Sequence, residues 1–118
     1  MHTLLLAVNG TLMRGFPLNN NLVSTGAEFV HDTYTSSHYR LWSIENKYPA
    51  MVRDEHQGTR IEVEIWRLSA EALVCVLEKE PPGLCIGLVE LENGAKVFGV
   101  LGESYITANR EEITTYGG

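Results

Sequence analysis

The sequence predicts an α+β fold in which a closed or curled mixed β-sheet carries one clear helix. Three observations support it. Residues 4–8 (Leu-Leu-Leu-Ala-Val) are an unbroken apolar run of strand length, the pattern of a strand covered on both faces. Residues 59–68 alternate apolar and polar, then give way to a helical pattern that Pro81-Pro82-Gly83 stops. Two further apolar runs, 84–91 and 96–101, flank the hairpin signal Glu92-Asn93-Gly94. Six or so strands with one helix must bury their faces on one another, and a sheet that curls on itself does this.

Taken in order, the first strand runs out into Asn9-Gly10-Thr11-Leu12-Met13-Arg14-Gly15, a polar loop bracketed by glycines. Free backbone N–H groups, the Thr11 hydroxyl and the Arg14 guanidinium make it a cradle for a carboxylate or another small anion. Asn9, Gly10, Thr11, Leu12 and Arg14 are therefore the candidate substrate-binding residues at this end of the strand. Residues 17–21 are turn-rich, with Leu18 and Leu22 spaced to bury one side of a short helix or extended loop. Residues 23–32 read as a strand bent at Gly26, and residues 33–37 are hydroxyl-rich. Residues 39–44 alternate as an aromatic-rich strand. Residues 45–49 form a surface loop, and 55–58 a polar hairpin tip.

On the strand 59–68, Ile61, Val63, Ile65 and Arg67 share one face, and Glu62, Glu64, Trp66 and Leu68 the other. Two carboxylates beside Trp66 either line a pocket that reads a substrate amine, face solvent, or pair with Arg40 and Arg60. Ser69 is the expected N-cap of a helix over about 70–78 that buries Leu73, Val76 and Leu77. Residues 107–113 predict a short helix capped by Thr107, before a tail that ends on two glycines.

The 118 residues suit one domain spanning 1–118, with 44% hydrophobic and 20% charged residues. The net charge of −6, with nine basic residues scattered singly, argues against nucleic acid and anionic membrane as partners. No run is long enough to span a bilayer, and Met1-His2-Thr3 lacks the charged leader of a signal peptide, so the cytoplasm is expected. Cys75 and Cys85 have no metal spacing and apolar neighbours; two buried free thiols are expected rather than a disulfide. The four His show no metal-ligand spacing, and no dinucleotide or P-loop motif appears, so no metal and no cofactor is implied.

The order of motifs resembles the C-terminal domain of allophanate hydrolase, within the wider gamma-glutamylcyclotransferase-like superfamily. The first loop, the central Gly58-Thr59-Arg60-Ile61-Glu62-Val63-Glu64-Ile65-Trp66-Arg67-Leu68 strand and the Pro81-Pro82-Gly83-Leu84-Cys85-Ile86-Gly87 block support it, with the Ile113-Thr114-Thr115-Tyr116-Gly117-Gly118 tail. The resemblance covers nearly the whole chain. It implies a small mixed β-barrel with flanking helices and a pocket near the first loop. It also implies decarboxylation of N-carboxycarbamate or a similar small carboxylated amine, alongside an amidase chain. The Ser-Ser-Lys amidase domain of allophanate hydrolases is not in this sequence. Partners implied are a small carboxylate-bearing substrate and an amidase, and a homodimer is allowed.

Two other readings stand beside this one. Gamma-glutamyl cyclisation needs a carboxylate base after the central strand and helix; Glu80 is the nearest candidate, although Asn9 stands where cyclotransferases carry an aromatic residue. A non-catalytic module that binds or dimerises an amidase needs neither. Carbamate decarboxylation needs an oriented carboxylate and a proton for the departing nitrogen, which a His near neutral pKa supplies. His31 and His38 flank the hydroxyl-rich segment, and His38 is the preferred of the two; His2 and His56 are set aside as terminal and hairpin residues. The candidate catalytic residues are thus His38 and Glu80, with Glu64 (or Glu62) among the pocket-lining carboxylates.

Overall fold

The computed structural model describes residues 3–107 and 110–114. His2, Ala108, Asn109 and the tail 115–118 lie outside the described residues. The chain forms β1 (Thr3–Val8), a 3-10 turn (Gly10–Leu12), α1 (Asn20–Val23), β2 (Glu28–Tyr34), β3 (Tyr39–Ile44) and β4 (Tyr48–Arg53). There follow β5 (Glu62–Ser69), α2 (Ala70–Glu78), β6 (Leu84–Glu90), β7 (Lys96–Gly102), a second 3-10 turn (Ser104–Thr107) and β8 (Glu111–Glu112). A five-stranded sheet has the order β2-β5-β1-β7-β6, and a three-stranded sheet the order β4-β3-β8. The isolated bridge Thr35–Leu91 joins the two edges of the large sheet, just past β2 and β6, and Tyr39–Thr59 ties β3 of the small sheet to the chain just before β5. The fold is a mixed α+β architecture of curled sheets, as the sequence predicts.

β1 lies inside the large sheet, antiparallel to β5 and parallel to β7. Both faces are covered, which is why its sequence does not alternate. Leu6 and Val8 pack with Leu12, Leu22, Trp66, Leu68 and Val76 under the helices. Ala7 packs the opposite way, with Leu41, Met51, Val63, Ile65 and Val89 against the small sheet. Each Leu or Val so buried contributes about 1.5–3 kcal/mol. β5 divides in the same manner, so the two faces read from its alternation belong to two cores.

α2 occupies the predicted residues. The Ser69 side chain accepts from the Ala72 N–H at 3.1 Å, and Glu71 lies in the first turn. Its fully buried positions are Ala72 and Val76, with Leu73 and Leu77 only partly covered. Val23 ends the short helix α1 rather than starting a strand, because β2 begins only after the left-handed turn at Gly26.

Residues 45–49 are not all loop. Glu45 and Asn46 take φ of 55° and 58°, the left-handed pair of a tight hairpin, and Tyr48 and Pro49 begin β4. Pro49 is tolerated because β4 is an edge strand. Glu111 and Glu112 form β8 on the edge of β3 instead of a helix. The Ile113 N–H donates to the Leu41 carbonyl at 2.7 Å, and Arg40 Nε donates to Glu112 at 2.7 Å. Cys75 is exposed on α2 and Cys85 half-buried, and both thiols are free.

Candidate functional site

The first loop is shaped from both ends. Asn9 is extended, and Gly10 takes φ of +64°. A Cβ at Gly10 would run into the ring of Pro49, so glycine is required by conformation and by space. The Leu18 N–H donates to the Thr11 carbonyl at 3.0 Å, and the Asn19 amide donates to the Leu12 carbonyl at 2.9 Å. These bonds fold the turn-rich segment back over the loop.

The far end is tied down by Glu64. This carboxylate is only 3% exposed. It accepts from the Arg14 backbone N–H at 3.0 Å, from Arg14 Nε at 3.2 Å and from Trp66 Nε1 at 3.1 Å. The Arg14 guanidinium also donates to Asp32 at 3.2 Å and stacks 3.5 Å from the centroid of Phe29. Arg14 and Glu64 thus partner each other, whereas Arg40 pairs with Asp54 and Glu112, and Arg60 with Glu92.

Between the loop and the end of α2 lies a narrow cavity. Asn9, Thr11, Leu12 and Leu18 form one wall; Tyr48, Pro49, Glu80, Pro81, Leu84 and Val100 complete it. Its volume is ≈ 20 Å³, room for about one water. Glu80 reaches this position because α2 ends in a tight turn, with the Glu80 N–H donating to the Leu77 carbonyl at 3.1 Å, and two prolines then turn the chain into β6. One Glu80 carboxyl oxygen is sealed from solvent and has no hydrogen-bond partner among the described residues. Burial pushes the Glu80 carboxyl up to about 6. A carboxyl half-protonated near pH 6 can give or take a proton.

The structure therefore brings Asn9, Thr11, Leu12 and Glu80 together. Gly10 sits behind them under Pro49, and Arg14 and Glu64 do not line the cavity. His38 lies at the other end of β3, opposite Asp54; that is five residues along β4 from Pro49, roughly 17 Å. Its Nδ1 stands 3.9 Å from Glu55, and its side chain is 38% exposed. His31 and Glu62 are exposed on β2 and β5. Tyr48, Pro49, Leu84 and Val100 are lining residues that sequence reasoning missed. The first two were hidden by reading 45–49 as loop; an edge-strand proline after a left-handed turn pair was the available signal. Among the described residues, no group of three or more His, Cys, Asp or Glu is placed to hold a metal ion.

Comparison with known proteins follows the same lines. The profile of the allophanate hydrolase C-terminal domain matches residues 4–118. The chain is 31% identical over 121 residues to the urea amidolyase of Saccharomyces cerevisiae, across 96% of this chain and 6% of that protein. Among solved structures, a uropathogenic E. coli-specific protein is 47% identical with a TM-score of 0.97, covering 100% of this chain and 93% of that one. The Kluyveromyces lactis allophanate hydrolase is 26% identical with a TM-score of 0.92, covering 100% of this chain and 20% of that one. A gamma-glutamyl cyclotransferase shares the fold at 13% identity and a TM-score of 0.57. The chain spans a small fraction of the amidolyase and hydrolase, and nearly all of the E. coli protein.

Proposed function

The chain belongs to the allophanate hydrolase C-terminal domain family, and from that premise we propose that it decarboxylates a small carbamate or carboxylated amine of N-carboxycarbamate type, alongside an amidase. The observation that carries this reading is the Glu80 carboxyl, buried, half-unpartnered and facing the Asn9–Thr11 loop. Loss of CO₂ from a carbamate breaks a C–N bond and leaves its electron pair on nitrogen. In this reading the Asn9 amide and Thr11 hydroxyl orient the substrate carboxylate. Glu80, whose buried surroundings hold its proton up to about pH 6, gives that proton to the departing nitrogen and is left as the carboxylate. CO₂ and the protonated amine or carbamate depart, and Glu80 regains a proton from solvent. Arg14 and Glu64 position the loop, and His38 takes no part. The cavity as it stands holds about a water, so substrate entry requires Tyr48 or the loop to move. The free thiols suit a reducing compartment, and we place this chemistry in the cytoplasm.

The test is a pH–rate profile. N-carboxycarbamate is generated in place by an allophanate-cleaving amidase, and CO₂ release is compared with the uncatalysed rate. Acid catalysis by Glu80 predicts an acceleration that declines as pH rises through about 6 and is lost in Glu80→Gln. No acceleration at any pH, or an unimpaired Glu80→Gln, would overturn it.

The position of Glu80 after the central strand and helix also favours a second reading, in which its carboxylate is the base of a gamma-glutamyl cyclisation. There the rate of 5-oxoproline release rises through the same pH instead of falling. If neither reaction occurs and the chain binds an amidase, the domain is an interaction module.

A further inference from the structure

Glu80 does not face the only opening at this end of the molecule. On the other side of Tyr48 and Pro81 lies a cleft of ≈ 430 Å³. Ile44, Pro82, Tyr105 and Ile106 give it apolar and aromatic walls, and Lys47 and Arg110 stand at its rim. Tyr48 and Pro81 line both spaces, so they form a shared partition. The surroundings of the Tyr48 phenol show the same arrangement. Burial first raises it above its ordinary value; Glu45, Tyr105 and Glu80 raise it further, while Arg110 acts the other way.

The rim is unusual for this chain. The protein carries nine basic residues and a net charge of −6, yet two of its cations line one cleft. Arg110 approaches Glu45 at 3.7 Å, an ion pair without a hydrogen bond. Lys47 makes no ion pair among the described residues. Among the described residues that line the cleft, Lys47 and Arg110 set against Glu45 leave a single net positive charge. That suits one carboxylate better than a dianionic phosphate. The walls suit a short aliphatic spacer lying between the Tyr48 and Tyr105 rings and the prolines.

We propose that this cleft is a second subsite, which binds the carboxylate-terminated tail of a substrate whose reacting group lies at Glu80. The proposal rests on the reading of Glu80 as the reacting end. It widens the substrate class from N-carboxycarbamate to N-carboxylated amines that carry a further carboxylate several atoms away. Movement of the Tyr48 ring joins the two compartments when such a molecule binds.

The experiment is an NMR titration of the full-length, isotope-labelled chain with glutarate, acetate and inorganic phosphate. Glutarate should shift the amides of Lys47, Tyr48 and Arg110 and bind about ten-fold tighter than acetate. A Lys47→Glu, Arg110→Ser double variant, whose remaining spectrum matches the parent, should lose about ten-fold in glutarate affinity. Glutarate binding that ignores these substitutions, or that shifts no amide in the cleft, overturns the subsite. Phosphate binding as tightly through the same residues overturns its assignment to a carboxylate. The two readings fail separately. If Glu80→Gln keeps full decarboxylation while Lys47 and Arg110 still govern glutarate binding, the Glu80 role falls and the anion subsite stands.

Discussion

Truncating Arg14 to Ala removes one partner of a nearly sealed carboxylate, and its cost follows from the contacts around Glu64. Glu64 keeps two of its three donors, the Arg14 backbone N–H and the Trp66 indole. It loses the guanidinium at 3.2 Å, its only ion-pair partner among the described residues. Breaking a buried pair by removing one side costs about 3–5 kcal/mol. The Arg14 side chain is itself 50% exposed, so water takes part of the vacated place and the electrostatic share falls to about 2 kcal/mol. Loss of the stacking on Phe29 adds about 0.5 kcal/mol. At a urea slope of about 1–3 kcal/mol per molar, the unfolding midpoint should fall by roughly 0.8–2.5 M. Tryptophan fluorescence is the natural probe, because Trp66 bonds to the same carboxylate. Asp32→Ala is the control; its pair with Arg14 is 54% exposed on the Asp side, and should cost less than about 1 kcal/mol. A midpoint shift for Arg14→Ala no larger than that of Asp32→Ala would refute the assignment of Glu64 as the anchor of the loop.

Four further outcomes are expected. Gly10→Ala places a side chain at a φ of +64° and against the Pro49 ring, and should cost about 2–4 kcal/mol in thermal melts; an unchanged melting temperature contradicts the loop geometry. Glu80→Gln should stabilise the fold at pH 8 but not at pH 4. The unfolded carboxyl ionises near 4.5 while the folded one holds its proton to about 6, so ionisation opposes folding above that range, by about 1 kcal/mol once solvent access is allowed for. Glu112 has the opposite sign. Arg40, then Thr114, hold it down at about 2, so its contribution is present above about 4.5 and lost as pH falls toward 2; Glu112→Gln should be less stable than the parent at pH 7 and equal to it near pH 2 in urea titrations. Finally, an aromatic disulfide reagent should label exposed Cys75 quickly and Cys85 slowly, since burial raises the Cys85 thiol; equal rates would contradict the placement of α2.

Local signals in the sequence carried much of the fold. α2 was legible because a cap, an apolar spacing and a double proline agree on its limits. β1 was legible because a strand covered on both faces needs no polar alternation. What escaped depended on partners distant in sequence. β8 is two residues long and exists through β3, about seventy residues earlier. Glu64 looks like a solvent-facing or pocket carboxylate until Arg14 folds over it from fifty residues away. In the cavity, Glu80 and the Asn9–Leu12 loop were each legible as polar groups beside breaks in regular structure. Their meeting was not, because it depends on Tyr48 and Pro49 arriving on an edge strand whose sequence has the composition of a loop. The distance of His38 from that cavity is likewise a matter of register, set by the length of the β3–β4 hairpin.

The placement of β1 also bears on how the protein is made. Its apolar run leaves the ribosome first among the strands, yet its neighbours are β5 and β7, which pair through residues such as Ser69 and Phe98. At synthesis rates of about 5–20 residues per second, Leu4 to Val8 wait roughly 3–12 s for β5, and longer for β7. Throughout that interval a bare, uncharged β-forming segment is available to any other strand edge nearby. The sheet's central strand is thus the part of the nascent chain most in need of chaperone cover, and expression at high ribosome density should show it first as aggregation.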